Sequence, residues 1–184
     1  MRHFPIAIET TALAPEKGVI IEACLGATLL YSRAALAPLA VAMQADQWIG
    51  RNHRVLFGDL VTACSLPDSE ALAKVGGVAV PDLDAALCEA LGALPGEGSL
   101  ALIAKRWDWL SPWLARHTPA FSGALRSILK IDYTAIGDAM AACGHAVPSA
   151  HTSLRAKCDC TRLHAGWGTV RTSLITPYGR KENV

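Results

Sequence analysis

Residues 78–104 read VAVPDLDAALCEALGALPGEGSLALIA, and this stretch decides the fold class. Val78 to Val80 is a short β-branched run, the composition of a strand. Pro81-Asp82 then opens a helix, because an aspartate side chain accepts hydrogen bonds from the first unpaired N–H groups of a helix. Leu83, Leu87, Leu91 and Leu94 follow at steps of four and three, so they share one face. Pro95-Gly-Glu-Gly98 is a turn. Ser99 to Ala104 carries an apolar run without alternation, which suits a buried strand. Strand, helix and strand joined by short turns predict a parallel sheet with helices packed over it.

Working outward, Pro5 to Leu13 alternates and is β-branched, a first strand. Pro15 to Gly18 punctuates the chain before a long apolar region, predicted as two helices over 19–32 and 35–49, the second bent by Pro38. Arg54 to Ala63 suits a buried strand, and a helix is the alternative, because periodicity does not decide so short a run. A helix beginning near Ser65 ends at Gly76-Gly77. Downstream, Lys105 to Leu114 holds three of the five tryptophans. Thr118-Pro119 caps a helix to about Lys130, and Asp132 caps another that ends at Gly144. No clean helix is expected after Pro148, and GTVRTSLIT over 168–176 reads as a closing strand. The expectation is one α/β domain over 1–184, its mostly parallel sheet covered by helices. An irregular Cys/His-rich C-terminal lobe with a closing strand occupies 144–184.

Composition excludes several classes. The 184 residues are 52% hydrophobic and 18% charged, enough to bury a core and too apolar for a disordered chain. Seventeen Lys and Arg balance sixteen Asp and Glu, so there is no electrostatic footprint for nucleic acid. The most membrane-like run, Val19 to Ala45, is broken by Glu22, Arg33 and Pro38, so no membrane partner is expected. No apolar segment like that of a secretory signal stands near Met1, so a cytoplasmic location is expected, with thiols or metal ligands rather than disulfides. Apolar helices leave room for a homodimer or a protein partner.

Half of the twelve Cys and His residues lie between Cys143 and His164. Thiolate and imidazole are the donors preferred by zinc and other transition metals. Cys158 and Cys160 are the expected thiolate ligands, with His145, His151 and His164 as imidazole ligands and Cys143 as a further thiol. Arg155, Arg162 and Arg171 add guanidinium forks suited to a carboxylate or phosphate. No phosphate loop and no G-x-G-x-x-G run is present, so no nucleotide cofactor is expected.

Cys64 closes the apolar run Leu60-Val-Thr-Ala-Cys64 just before a helix, the place where open α/β sheets bind ligands and where a thiol becomes a thiolate. From Cys64 through Gly76-Gly-Val-Ala-Val-Pro-Asp82 to the strand at Leu100–Ala104, about 45 residues resemble one half of the aspartate/glutamate racemase superfamily, which includes decarboxylases. The resemblance implies a proton-transferring Cys64, with Cys143 as the available second cysteine. Ser65-Leu66 departs from the residues that usually follow that cysteine. Trp107, Trp109 and Trp113 read chiefly as core anchors or a dimer patch.

Three functions follow as expectations. The first is a cytosolic enzyme or binding protein for a small anionic metabolite, with a transition-metal site in the C-terminal cluster. The second is a metal-independent cysteine racemase or decarboxylase using Cys64. The third is a non-catalytic accessory or assembly protein with an apolar partner-binding surface.

Overall fold

The computed structural model describes residues 1–35, 76–148 and 156–179. A meander opens the chain: β1 (Arg2–Thr10), β2 (Ile20–Leu25) and β3 (Thr28–Ser32). Then come β4 (Val78–Val80), α1 (Leu83–Gly92), β5 (Leu100–Ala104), α2 (Trp107–His117) and α3 (Pro119–Ala124). β6 (Leu129–Asp132), α4 (Tyr133–Ala142) and α5 (Ala156–Gly179) complete the described elements.

The sheet order is β4-β3-β2-β1-β5-β6. β2 is antiparallel to both β1 and β3, whereas β5 pairs parallel with β1, β6 with β5, and β4 with β3. Among the described strands, therefore, five run one way and β2 runs against them. The sheet is mixed, with helices on its faces. The strand–helix–strand expected over 78–104 is present, with one difference of place. β4 and β5 are not neighbours, because β3, β2 and β1 lie between them.

Local chemistry explains most boundaries. Asp82 Oδ1 accepts the N–H groups of Asp84 and Ala85 at 2.9 and 3.1 Å, starting α1. Asp132 Oδ1 does the same for α4 through Ala135 at 3.0 Å. Asp84, inside α1, reaches across to α3 and accepts from Ala120 and Phe121 at 2.9 and 2.8 Å. Arg2 donates to the carbonyls of Leu94, Pro95 and Gly98, which holds the turn before β5 against the start of β1.

The structure corrects three expectations. Residues 19–32 form the hairpin β2–β3, not a helix. All six residues of β2 are buried, so the strand has no polar face and its apolar run carries no two-residue period. Gly26, at φ +60°, makes the turn that a continuous helix would lack. The helix begun at Thr118-Pro119 stops at Ala124, and Leu129–Asp132 instead pairs with β5 as an edge strand. The largest difference is at the C-terminus, where Ala156–Gly179 is one helix of 24 residues in place of an irregular lobe and closing strand. Its buried residues Ala156, Asp159, Cys160, Leu163, Gly166 and Val170 recur every three or four positions. Small and polar members disguise that stripe, and the alternation over 168–176 imitates a strand. The expected helix over 35–49, strand over 54–63 and helix from Ser65 lie outside the described residues.

Two cores sandwich the sheet. On one face Ile6, Ile8, Leu25, Leu30 and Leu102 pack with Leu87, Trp113 and Phe121 of α1, α2 and α3. On the other, Ala101, Ile103 and Ile131 pack with Tyr133 and Met140 of α4 and with Leu163 and Val170 of α5. Among the described residues no helix is long and apolar enough to cross a membrane.

Gly166 marks the closest approach of α5. A Cβ there would overlap the Tyr133 hydroxyl, which donates to the Pro148 carbonyl at 2.8 Å. Gly166→Ala is expected to destabilise the protein by about 1–3 kcal/mol, as overpacking does. Thermal unfolding checks this, and the added Tyr133→Phe change should recover part of the loss by removing the obstructing oxygen.

Candidate functional site

The parity of β1 determines what faces α5. Ala7 and Glu9 lie on the α5 side, since Ile6 and Ile8 belong to the opposite core. Across the antiparallel pair, Ala7 stands opposite Cys24 and Glu9 opposite Glu22. Two glutamates directly opposed on one face repel each other. Glu22 is moreover fully buried, and its Oε1 accepts the backbone N–H of Lys157 at 3.3 Å. The carboxylate thus sits at the positive end of α5, where a negative charge is stabilised.

α5 brings a third carboxylate to this end of β1. Asp159 is buried on the sheet-facing stripe, and the next residue, Cys160, hydrogen-bonds the backbone of Ala7. Further along the helix, Trp167 packs against His3, so α5 runs antiparallel to β1 and its first turn lies over the Ala7–Glu9 end. Strand register and the start of α5 therefore place Glu9, Glu22 and Asp159 at the same end of β1. Ala7 and Glu9 are each half-buried there.

This is also the edge where the parallel strands β1, β5 and β6 end, the side on which open α/β sheets bind ligands. The loops there are tightly tied. Asp132 Oδ2 accepts the N–H of Trp107 at 2.8 Å, and the Trp107 indole donates to the Ile131 carbonyl at 2.9 Å. Thr134 donates through its hydroxyl to the Lys105 carbonyl at 2.8 Å. Asp132 thus caps two helices. Arg106 and Asp108, at the start of α2, form an exposed ion pair, which raises the guanidinium pKa and lowers that of the carboxyl.

Beneath the first turn of α5 lies a pair of thiols. Cys160 donates to the carbonyl of Cys24 at 3.1 Å and hydrogen-bonds the Cys24 thiol. That bond lowers the Cys24 pKa against the effect of burial, while burial and the same bond push Cys160 well up.

The C-terminal cluster is dispersed by the helix. Cys158 and Cys160, two residues apart, project about 200° apart around α5. Cys158 is exposed and Cys160 buried, so the two thiols do not converge. His164 is exposed on α5, and Cys143 and His145 are exposed just past α4. Arg162 and Arg171 are also exposed, nine residues apart and so on opposite sides of the helix. His151, Arg155 and Cys64 lie outside the described residues. Among the described residues no three Cys, His, Asp or Glu side chains are grouped to hold a metal ion. Of the tryptophans, Trp107 and Trp113 are core residues, and Trp109 packs at a tilt against Trp113 and is partly exposed.

No family model matches the chain, and no curated protein is similar to it. The carboxylates of β1 and β2 were passed over in sequence because each looks like an ordinary strand residue alone. The available signal was pairwise: once 20–32 is a hairpin, Glu9 and Glu22 must face each other.

Two outcomes are expected. Glu22→Ala removes the acceptor at the start of α5, so the amides of residues 157–160 should exchange about five- to tenfold faster, matching the roughly 1 kcal/mol of a lost cap. Native-state hydrogen exchange reads this directly. His3 has a pKa below 6.5, held down by burial, by Arg171 and by the terminal amine. Its stabilising contribution is complete above pH 6.5 and is lost as pH falls from there through the folded-state value. An NMR titration should find the lowered midpoint, and Arg171→Gln should move it upward.

Proposed function

We propose that the protein acts on a small anionic molecule, a phosphate ester by chemical class. A hard divalent cation such as magnesium or manganese would be held at the carboxyl edge of β1. What supports this reading is placement: Glu9 and Asp159 are acidic residues on an otherwise apolar strand face and helix stripe, at the same end of β1. Glu22 lies beside them, buried.

The donor chemistry favours this cation over a softer one. Carboxylate oxygens suit magnesium and manganese, whereas zinc and copper prefer nitrogen and sulfur. Magnesium commonly takes only one or two protein carboxylates and fills its shell with water and the phosphate oxygens of its ligand. Glu9 and Asp159 are the two expected holders. Such an ion, when bound, polarises a phosphoryl oxygen and supplies a water of lowered pKa. The protein's part is to keep two carboxylates near each other without letting either escape to solvent. Glu22 serves that end by anchoring the turn of α5 that carries Asp159.

The reading keeps the anionic ligand expected from sequence and moves the metal from the dispersed Cys/His cluster to the carboxylates. Manganese binding by the full chain, followed by electron paramagnetic resonance, tests it. About one equivalent should bind, with affinity falling about 10- to 100-fold in Glu9→Gln and in Asp159→Asn. Hydrolysis of bis(p-nitrophenyl) phosphate should require manganese and disappear in both variants. Equal manganese binding by the parent and the variants would overturn the assignment. So would zinc retained by the parent and lost from a Cys158→Ser, Cys160→Ser double variant, which would return the site to the Cys/His cluster.

A further inference from the structure

Cys24 and Cys160 meet in the core although 136 residues separate them in the chain. Each is 2% exposed, and one lies on the central hairpin while the other lies in the first turn of α5. Cys160 Sγ stands 3.1 Å from the carbonyl oxygen of Cys24 itself, and the two thiols lie close enough to shift each other's ionisation. The approach is this close because the surroundings are small: Ala7 faces Cys24 across the strand pair, and Ala156 is one turn before Cys160 on the same buried stripe. A lone buried cysteine is a small hydrophobe. Two that touch across elements have a covalent alternative.

We propose that Cys24 and Cys160 are a modification site, a dithiol that a hydroperoxide converts to a disulfide joining α5 to β2. One sulfur, as thiolate, attacks the peroxide oxygen; the O–O bond breaks, a sulfenic acid forms, and the other oxygen leaves as water after taking a proton. The second thiol then attacks the sulfenic sulfur, the S–S bond forms, the S–O bond breaks, and a second water leaves. The two sulfurs together lose two electrons, and one hydrogen peroxide becomes two waters. Access comes through fraying of the first turn of α5, since helix ends open at low free energy. The link closes a loop of more than a hundred residues, so it removes much of the freedom of the unfolded chain. It also fixes the turn that carries Lys157 and Asp159. The proposal stands on the thiol geometry alone and does not depend on the metal reading.

Full-length protein treated with hydrogen peroxide, alkylated and mapped by mass spectrometry tests it. The expected product is a peptide containing Cys24 joined to one containing Cys160, with an intact mass lower by about 2 Da for the two hydrogens lost. Dithiothreitol should reverse it, and the oxidised form should melt several degrees higher than the reduced form. Cys24→Ser and Cys160→Ser should each abolish the mass loss, with Cys24→Ala and Cys160→Ala as replacements if a serine variant fails to fold. Cys158→Ser should leave the mass loss intact. Separate alkylation of Cys24 and Cys160 after the exposed Cys158 and Cys143 have been oxidised would overturn the proposal. A cross-link involving any other cysteine would do the same.

Discussion

The docking of α5 on the β1–β2 hairpin is the constraint on which the other features depend. A helix lies close to its support only where the facing residues are small, and here Cys160 meets Ala7 and Cys24 while Gly166 makes room for Tyr133. The closeness has two effects of opposite sign. It brings one thiol against the backbone of the other cysteine, and it covers a strand pair whose register already sets Glu9 opposite Glu22, a repulsive pairing. It also carries the positive end of a 24-residue helix onto a buried glutamate, which lowers that repulsion. The second effect compensates the first only while the helix stays in place, so packing and charge are coupled in this region.

Legibility in the sequence followed side-chain size. The β4–α1–β5 unit was readable because Leu83, Leu87, Leu91 and Leu94 trace a wide apolar stripe and Asp82 caps it. The caps at Asp82 and Asp132 and the turn at 95–98 were readable for the same local reason. β2 was unreadable as a strand, since a strand buried on both faces shows no alternation and its alanine and leucine resemble a helix. α5 was unreadable as a helix because its buried stripe is alanine, aspartate, cysteine and glycine, residues that do not announce an apolar face. The sequence order also hid which side chains would converge. The Cys/His cluster is dense in the chain, yet a helix turns neighbours two apart to opposite sides. Glu9 and Glu22 are thirteen residues apart in the chain, yet strand register sets them opposite each other.

The assembly of the carboxyl edge shows how little of such a place is local. Glu9 comes from the first strand, Glu22 from its antiparallel partner, and Asp159 from a helix more than a hundred residues later. No window of sequence contains two of their surroundings. The edge is nonetheless firm, because Asp132 ties the start of α2 to the end of β6, and Thr134 ties α4 to the end of β5. Both side chains are used in structure, which leaves the carboxylates under α5 as the chemically distinctive groups of that side.

The strand order has a consequence for biosynthesis. β1 is central in the sheet and is made well before its parallel neighbour β5, which begins only at Leu100. At translation speeds of about 5–20 residues per second, one side of β1 waits roughly 5–20 s for its partner. During that interval the β1–β2–β3 meander exposes an open strand edge beside the apolar side chains of Phe4, Ile6 and Ile8. A nascent chain of this topology is therefore at its stickiest until β5 has been made, a window in which a chaperone at the ribosome exit would find its best substrate.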